Sequence, residues 1–409
     1  MGVEEVTVVG AGPSALLFAR EMALTGLRPL LVEEHGEVGV PRHCSGLVSI
    51  RGLRLLELKD EGYVENEVSE AEFYSPKAKT VLRVGKSKPV AYVLDRESFD
   101  KYLYSIASSL GVPLRFNSRV TNVDTKGGLW RLSLNGREIL RTRFLVNGEG
   151  AKYRIVKQLG LSPPRPSTVL SALQYDMRGV KGLDERVVEI YLGERWAPGF
   201  FAWIIPRGGD KARVGLASWF KPTYLYLKHF MLRHPVASKK LAGAKVEKLT
   251  GGRVILSGPR RRVWGTGFLL LGDAAGYTKP TTGGGVIIGG LCAIAAAGQL
   301  SKVLVGEERM ENAIEGYYSF FKRTFLRDIL YMKVLRRILW SLDDEGLEVA
   351  LKRVKELGLE GELSLLGDME GQGSAIRRLL KEPSLITELA PRLLRGVFGR
   401  LLLLIKGGC

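Results

Sequence analysis

The apolar and polar positions at the start of the chain predict a β-turn-helix-β unit. Residues 6–9 form a short apolar run that ends at Gly10. Residues 14–25 have the apolar spacing of a helix, Gly26 follows, and Leu30–Val32 is a second apolar run. A strand, a Gly-rich turn, a helix and another buried strand therefore lie within the first part of the chain.

The rest of the pattern predicts further strands, an inserted β-rich region and helices at the end. Residues 70–93 and 163–263 alternate polar and apolar positions, as half-buried antiparallel strands do. Helical spacing returns at 98–110 and in the small-residue segment 286–304, and apolar runs at 144–146 and 268–271 are buried strands. We assign a first domain to 1–70, 94–162 and 264–305, a β domain to 71–93 and 163–263, and a helical region to 306–409.

Composition narrows the class of protein. The chain has 409 residues, 45% hydrophobic content and a formal charge of +18. The basic residues are dispersed and lack zinc-finger spacing or an RNP motif, so we expect no nucleic-acid partner. Phosphate-bearing cofactors, anionic lipids or an acidic electron donor suit the charge better. Abundant Lys, Arg and Glu with little Asn and Gln indicate a thermophile.

Cysteine and histidine usage predicts a reducing compartment and no metal site. The three cysteines form no CxxC pair, and the four histidines lack metal-ligand spacing. A membrane span needs about 20 apolar residues, and residues 401–405 fall far short of that. We expect a cytoplasmic protein, in peripheral contact with a membrane if its basic C-terminal helices bind one. Those cations, which equally suit a solvated face, are Lys322, Arg323, Arg327, Lys333, Arg336, Arg337, Arg377, Arg378, Arg392, Arg395, Arg400 and Lys406.

The turn after the first strand predicts a dinucleotide site. Gly10-Ala11-Gly12-Pro13-Ser14-Ala15 matches GxGxxA, whose glycines let the backbone approach a pyrophosphate at a helix N-terminus. Ala15 in the third position still permits close packing of helix on strand. Glu33 ends the second strand, where a carboxylate can accept hydrogen bonds from ribose hydroxyls.

A second motif favours FAD over NAD. Gly272-Asp273-Ala274-Ala275-Gly276 follows a buried strand, and Asp273 suits the ribityl and pyrophosphate portion of a long flavin dinucleotide. The amides near Gly283-Gly284-Gly285-Val286, at the start of a helix, can stabilise negative charge on a reduced flavin. No second GxGxxG unit exists, so no dedicated nicotinamide domain is expected.

These motifs resemble those of geranylgeranyl reductases in the para-hydroxybenzoate-hydroxylase-like flavoprotein superfamily, over about the first 330 residues. Besides the Gly10 loop with Glu33, the resemblance lies in residues 41–46 (PRHCSG), 94–100 (LDRESFD), 272–286, and 198–206 (PGFFAWIIP) with 213–217 (RVGLA). The resemblance implies an α/β (α+β) fold: a Rossmann-like FAD-binding domain, an inserted antiparallel β-sheet substrate domain and C-terminal helices.

The resemblance also implies roles for individual residues. Phe201, Trp203 and Pro206 would form the wall of an isoprenoid cavity, Arg96 would contact FAD phosphates, and Val120 the adenine through its main chain. Cys44 would tune or gate the flavin. The full expected cofactor set is Gly10, Gly12, Ser14, Ala15, Glu33, Cys44, Ser45, Leu47, Arg96, Val120, Asp273, Pro280, Gly283, Gly284, Gly285 and Val286. Glu149 and Tyr153 depart from the usual family pattern.

Three functions remain open at this point. The first is an FAD-dependent reductase that saturates C=C bonds of isoprenoid chains, fed by NAD(P)H or a ferredoxin-like donor. The second is an FAD monooxygenase or halogenase of the same superfamily, since residues 201–206 differ by one residue from the halogenase WxWxIP; only Lys77 and Lys79 would then serve as the halogenase lysine. The third is a non-catalytic lipid-binding protein that retains FAD.

Overall fold

The structure, a computed structural model, describes residues 2–60 and 62–393. Its strands are β1 (Val3–Val9), β2 (Leu30–Val32), β3 (Leu47–Ser49), β4 (Val64–Val68), β5 (Glu70–Tyr74), β6 (Val81–Gly85), β7 (Ala91–Leu94), β8 (Leu114–Arg115), β9 (Val120–Lys126), β10 (Leu129–Leu134), β11 (Glu138–Asn147), β12 (Val169–Arg178), β13 (Val187–Leu192), β14 (Phe201–Pro206), β15 (Lys211–Ser218), β16 (Lys245–Ile255), β17 (Trp264–Gly265) and β18 (Phe268–Leu270).

The α-helices lie between these strands and in the C-terminal part of the described chain. They are α1 (Pro13–Leu24), α2 (Ile50–Leu55), α3 (Arg96–Ser109), α4 (Arg154–Gln158), α5 (Thr223–Arg233), α6 (Ala237–Leu241), α7 (Gly272–Ala275), α8 (Val286–Leu304), α9 (Met310–Phe321), α10 (Arg327–Ser341), α11 (Asp344–Glu356), α12 (Glu360–Leu366) and α13 (Gly373–Leu380). A π-helical turn, Lys322–Leu326, joins α9 to α10.

The first sheet has parallel strands at its centre. Its order is β17-β18-β11-β1-β2-β8, with β9 and β10 attached as an antiparallel hairpin to β11. β1, β2, β8, β11 and β18 run parallel, and β1 and β2 are buried at their carboxyl ends as the apolar runs predicted. α1 and α8 cover one face, where their small residues let the two helices pack closely.

The second sheet is formed by strands from two separate parts of the chain. Its order is β16-β12-β15-β14-β13-β5-β6. β5 pairs in parallel with β13, which lies more than a hundred residues later, while the other pairs are antiparallel. β7 instead joins β3 and β4 in a separate three-stranded sheet. The expected mixture of a parallel sheet, an antiparallel sheet and C-terminal helices is confirmed.

The two faces of the second sheet have different neighbours because side chains alternate along a strand. Ala202, Ile204 and Leu216 point to one face and pack with Leu227 and Phe230 of α5. Trp203 and Ile205 point to the opposite face, in a smaller core with Val188. This second face turns toward the first sheet and forms one wall of the cavity described below.

One helix in the described chain is long and apolar enough to cross a membrane by length and composition. It is α8, and 56% of its most apolar window is buried inside the protein. Its residues Cys292, Ala293 and Ala296 are fully inaccessible to solvent and belong to the main core. Because α8 packs against α1, its apolar character is explained by this core position.

Candidate active site

The parallel strands bring the separated motifs together at one edge of the first sheet. Val9 of β1 lies beside Val32 of β2 and Asn147 of β11, and Asn147 lies beside Leu270 of β18. The residues that follow each strand therefore share one edge. This is the carboxyl edge, where open α/β sheets bind their ligands.

The Gly10 turn is shaped by close contact with the neighbouring strand. Gly10 has a φ of +89°, and a Cβ atom at this position would lie 2.6 Å from the Gly148 carbonyl oxygen. Glu33 fixes the next residue, because its carboxylate accepts a hydrogen bond from the Ala11 N–H at 2.8 Å. Its other oxygen accepts the His35 N–H at 3.0 Å. Glu33 thus shapes the loop as well as offering a carboxylate at the ribose position.

Asp273 lies at the start of α7, shortly after the buried strand β18. Burial raises the pKa of its carboxyl group to about 6, although the positive charge of Arg96 opposes that rise. The Asp273 carboxylate lies close to Gly285, where a Cβ atom would be 3.3 Å from its Oδ1. Gly285 precedes the first turn of α8, so the free amides of that turn and the Asp273 carboxylate border the same space.

The loop around Cys44 is held by side chains of the second sheet. Gln174 donates a hydrogen bond to the Cys44 carbonyl oxygen at 3.1 Å, and Arg213 donates to the Ser45 carbonyl oxygen at 2.6 Å. The Cys44 sulfur accepts the Gly46 N–H at 3.4 Å. Arg96 adjoins the thiol from α3, where Asp100 holds its guanidinium at 2.9 Å. Cys44 therefore faces the cavity on a fixed loop.

Arg213 belongs to a buried charge cluster between the two sheets. It has no solvent exposure, and it donates to the Leu94 carbonyl oxygen at 2.8 Å and to the Asp176 carboxylate at 3.2 Å. Glu65 is its second carboxylate partner. The remaining cations of the cluster are Arg42 and Arg207, both paired with Asp176. The cluster links the strand-end loops of the first domain to β12 and β15 of the second sheet.

The Gly10 turn, Asp273 and the Cys44 loop border one large cavity with a volume of about 1610 Å³. That volume exceeds the ~300–1,000 Å³ of most small-molecule sites. One half is lined by the Gly10 turn, Glu33, Val120 and Asp273. The other half is apolar and is lined by Val68, Phe73, Val84, Val188, Ile190, Phe200, Phe201, Trp203, Ile205, Val254 and Met369. A single cavity therefore has room for a long dinucleotide and an apolar second ligand.

The structure brings together most of the residues predicted from the sequence. The cavity is lined by Gly10, Gly12, Ser14, Ala15, Glu33, Cys44, Ser45, Leu47, Arg96, Val120, Phe201, Trp203, Asp273, Gly283, Gly284, Gly285 and Val286. Pro206 and Pro280 do not line the cavity of the described chain. Pro206 is buried at the end of β14, where its carbonyl accepts from Asn66, and Pro280 lies beside Gly258. The functional roles of all the site residues predicted from the sequence remain predictions.

Sequence reasoning missed the contribution of the C-terminal region to this cavity. Lys279 donates to the Met369 carbonyl oxygen at 2.8 Å and pairs with Glu370 at 3.1 Å. Thr281 donates to Gln372 at 2.6 Å. The connection between α12 and α13 thereby covers the Gly-rich segment that precedes α8. The polar residues of 368–372 gave no signal of this contact because it joins segments about ninety positions apart.

The departure at Glu149 has a local structural reason. Its carboxylate accepts hydrogen bonds from the N–H groups of Arg154, Ile155 and Val156, at 2.8, 3.0 and 2.9 Å. These are the free amides at the start of α4, which otherwise lack partners within the helix. From its position after Gly148, the Glu149 side chain therefore caps helix α4. The same residue also lines the cavity.

Comparison with known proteins identifies the family of the chain. Residues 4–228 match the family described as FAD binding domain. The chain belongs to this family of flavoproteins. The flavoprotein is 29% identical over 361 residues to the digeranylgeranylglycerophospholipid reductase of Methanocaldococcus jannaschii, covering 87% of this chain and 91% of the relative. The corresponding enzyme of Thermoplasma acidophilum is 29% identical over 372 residues, covering 87% and 92%.

Solved structures show the same fold. A geranylgeranyl bacteriochlorophyll reductase-like protein from Thermoplasma acidophilum superimposes with a TM-score of 0.82 and 27% identity, covering 96% of this chain and 100% of that one. The flavin-dependent brominase Bmp2 has a TM-score of 0.67 and 18% identity, covering 94% of this chain and 99% of that one. The flavoprotein therefore has the fold that the motifs predicted, and its resemblance to geranylgeranyl reductases is confirmed.

The residues of the cavity fit FAD. Gly10 and Gly12 leave the backbone open to a pyrophosphate, and Glu33 provides the carboxylate for a ribose. Arg96 supplies a buried positive charge beside that path. At the boundary with the apolar half, the indole N–H of Trp203 is buried without a hydrogen-bond partner in the described chain. Such a donor is satisfied when a bound molecule supplies an acceptor.

Proposed function

We propose that this flavoprotein is an FAD-dependent reductase that saturates C=C bonds of geranylgeranyl or other isoprenoid chains, in precursors of membrane lipids. The observation that supports this best is the continuity of the cavity. A dinucleotide site at the carboxyl edge of the first sheet opens directly into an apolar chamber walled by β13, β14 and β16. The named relatives act on a lipid of this class, as their names state.

One group of residues binds the cofactor in this proposal, and another excludes water from the substrate. FAD, when bound and reduced, supplies the hydride for reduction of a double bond. The Gly10 turn, Glu33, Arg96 and Asp273 hold its dinucleotide part, and the first turn of α8 offers amides that favour negative charge. Phe201, Trp203 and Ile205 exclude water from the chamber and orient an apolar chain, which protects a reduced intermediate from side reactions.

The electron donor and the cellular setting belong to the same proposal. NAD(P)H that binds transiently, or a ferredoxin-like protein, would reduce the flavin, because the sequence carries no second dinucleotide unit. We place the enzyme in the cytoplasm, in peripheral contact with the membrane that contains its substrate. The positive charge of the chain suits an acidic donor and an anionic lipid surface alike.

The two lysines that the sequence offers for the halogenase alternative lie outside the cavity. Lys77 and Lys79 lie in the turn between β5 and β6, are exposed, and do not line the cavity. Neither therefore reaches the space in which an oxidised halide would have to be carried from the flavin to a substrate.

Anaerobic flavin kinetics test the proposal. The purified enzyme is reduced with dithionite or NADPH, then mixed with a digeranylgeranyl lipid in detergent or with the saturated lipid as a control. We expect reoxidation of the flavin only with the unsaturated lipid, and a mass increase of two hydrogens per bond reduced. A product that forms only when oxygen is present would support the monooxygenase alternative. If neither lipid reoxidises the flavin and no product forms in the presence of oxygen, the non-catalytic alternative remains.

A further inference from the structure

A second apolar feature lies on the face of the second sheet that α5 covers. Helix α5 packs Leu227 and Phe230 into the core beneath it. Its opposite face and the loop before it carry large exposed side chains, with Phe220 at 47%, Tyr224 at 54%, Leu225 at 48% and Leu232 at 62% exposure. We call this region the α5 surface, formed by Trp219, Phe220, Lys221, Tyr224, Leu225, Lys228, Leu232 and Arg233.

These exposed residues share one side of the helix. Lys221, Tyr224, Lys228 and Leu232 are spaced three or four positions apart, and Leu225 lies next to Tyr224, so they form a single stripe. Apolar and basic side chains alternate within that stripe. This arrangement is typical of helices that lie in the plane of a membrane surface, with apolar residues in the acyl region and lysines reaching the headgroups.

The charge of this segment has one sign only. Residues 211–246 contain eight Lys and Arg residues and not one Asp or Glu. Lys221, Lys228 and Arg233 are exposed, and none of them forms an ion pair with a carboxylate in the described chain. Exposed cations that the protein itself does not neutralise are complementary to anionic headgroups, each contributing ~1 kcal/mol near an acidic membrane.

The α5 surface is connected to the apolar half of the cavity through aromatic contacts. The ring of Trp219 stacks on that of Phe220 with centroids 5.7 Å apart. The backbone N–H of Trp219 donates a hydrogen bond to the Pro198 carbonyl oxygen at 2.9 Å. The segment that contains Pro198 continues into Phe200 and Phe201. Their rings stack with centroids 4.0 Å apart, and both residues line the cavity. The surface therefore adjoins the wall of the chamber in which the lipid chain is proposed to bind.

We propose that the α5 surface docks this enzyme onto an anionic lipid membrane, beside the apolar end of its cavity. This inference extends the proposed function, because a lipid substrate resides in such a membrane. The cations alone would attract an acidic protein as well as an anionic membrane, so the apolar residues decide between the two. Single apolar side chains interleaved with lysines along one exposed helix face suit the headgroup boundary of a bilayer, where aromatic side chains are enriched.

Vesicle co-flotation of the holoenzyme tests the docking surface. The probes are phosphatidylcholine vesicles with and without about 30% phosphatidylglycerol. Binding is measured at about physiological ionic strength, where the Debye length is near 8 Å, and at about three times that ionic strength, where the Debye length is shorter. The charge variant is Lys221→Gln/Lys228→Gln/Arg233→Gln. Its matched control, Lys322→Gln/Arg323→Gln/Arg327→Gln, removes the same charge from exposed positions of the C-terminal helical region.

We expect the wild type and the control to bind anionic vesicles, and the charge variant to bind on the order of a hundredfold more weakly, the effect of three cations. An apolar variant, Phe220→Ser/Leu225→Ser/Leu232→Ser, should lose the binding that persists at high salt. Flavin absorbance and circular dichroism verify that each variant is folded. Unchanged binding by the charge variant, or equal losses in variant and control, would overturn the proposal.

The docking surface and the proposed reductase activity are separable in this design. In detergent micelles, where no bilayer has to be reached, the α5 variants should turn over the lipid as the wild type does. Weaker reduction by an acidic electron-donor protein, with vesicle binding unaffected, would overturn the membrane assignment and make this a protein-docking face. A wild type that floats with vesicles but reduces no lipid would refute the proposed reaction and leave the docking surface supported.

Discussion

The two halves of the cavity are built in different ways. The dinucleotide half is formed mainly by backbone at strand ends and turns, with Gly10 and Gly285 where a Cβ atom would press against neighbouring backbone. The apolar half is formed by side chains that project from alternate positions of β13, β14 and β16. The first half depends on where glycines and one carboxylate occur in the sequence. The second depends on how strands far apart in the chain pair.

This difference explains why the fold is shared more widely than the reaction. Brominase Bmp2 has the same fold at 18% identity, and its name assigns it another reaction. A backbone cradle recognises the same cofactor whatever lies next to it. Side chains of the adjoining sheet can change one at a time, because each occupies a single position on the chamber wall. We expect substitutions in the two halves to separate cofactor retention from turnover.

The largest effect is expected at the junction of the halves. Arg213→Met leaves Arg207 as the one remaining arginine that pairs with both Asp176 and Glu65 in the described chain, and removes the donor to the Ser45 and Leu94 carbonyl oxygens. Breaking a buried pair of this kind costs about 3–5 kcal/mol of unfolding free energy. Denaturant unfolding measures the loss. The control Arg186→Met removes an exposed cation and should change stability by less than about 0.5 kcal/mol. Equal stability of the two variants would show that the cluster does not hold the halves together.

A pH-dependent effect is expected from Asp273 in FAD-free protein. Its folded-state pKa of about 6 lies above the ordinary value of 3.8, so between these pH values the folded carboxyl retains a proton that the unfolded chain has released. The free energy of unfolding therefore falls as pH rises through this window, by up to about 3 kcal/mol. Asp273→Asn should abolish this part of the dependence. Parallel pH profiles for the variant and the wild type would contradict the assignment.

A smaller loss is expected for cofactor retention when Glu33 is replaced. Glu33→Ala removes the acceptor of the Ala11 N–H and the carboxylate offered to the ribose. Hydrogen bonds to a charged group contribute about 1.5–3 kcal/mol, so FAD should bind roughly tenfold to 150-fold more weakly. Fluorescence titration of FAD-free protein measures the affinity. Glu5→Ala, at the exposed far end of β1, is the control and should bind FAD normally.

The smallest effect on the cofactor is expected in the apolar half. Trp203→Leu keeps an apolar side chain in β14 but shortens the chamber wall. We expect kcat/KM for a digeranylgeranyl lipid to fall by about tenfold, equivalent to ~1.4 kcal/mol, with the flavin spectrum retained. Trp130→Leu, in β10 and outside the cavity, is the matched control. If Trp203→Leu released FAD and activity together, this residue would belong to the core and not to the substrate wall.

Local elements were predicted well because their signals are local. The strand Leu30–Val32 and the helix Val286–Leu304 have the bounds that the apolar pattern indicated, and the first helix begins at Pro13 where 14 was expected. The turn that joins β9 to β10 likewise consists of two glycines, Gly127 and Gly128. In each case neighbouring residues along the chain decide the structure, through turn-forming glycines and the periodicity of apolar positions.

Contacts between distant segments were beyond the reach of the sequence pattern. The pairing of β5 with β13, the burial of Arg213, and the cover that Met369–Gln372 provides over the Gly-rich segment all join residues far apart in the chain. An arginine on a strand is usually exposed, so its sequence neighbours do not predict a position with no solvent access. The pairing of β12 with β15 places Asp176 beside it, and β4 of the three-stranded sheet supplies Glu65.

By itself the sequence determined that this protein binds FAD, since the Gly10 turn, Glu33 and the Asp273 segment each follow a buried strand, and parallel strands end at one edge of their sheet. Tertiary structure alone decided that these groups open into an apolar chamber, that the C-terminal region covers its rim, and that α5 presents basic and apolar residues to solvent. The reason is physical: the geometry of a turn depends on adjacent residues, whereas a cavity and a surface depend on which distant faces the chain buries against each other.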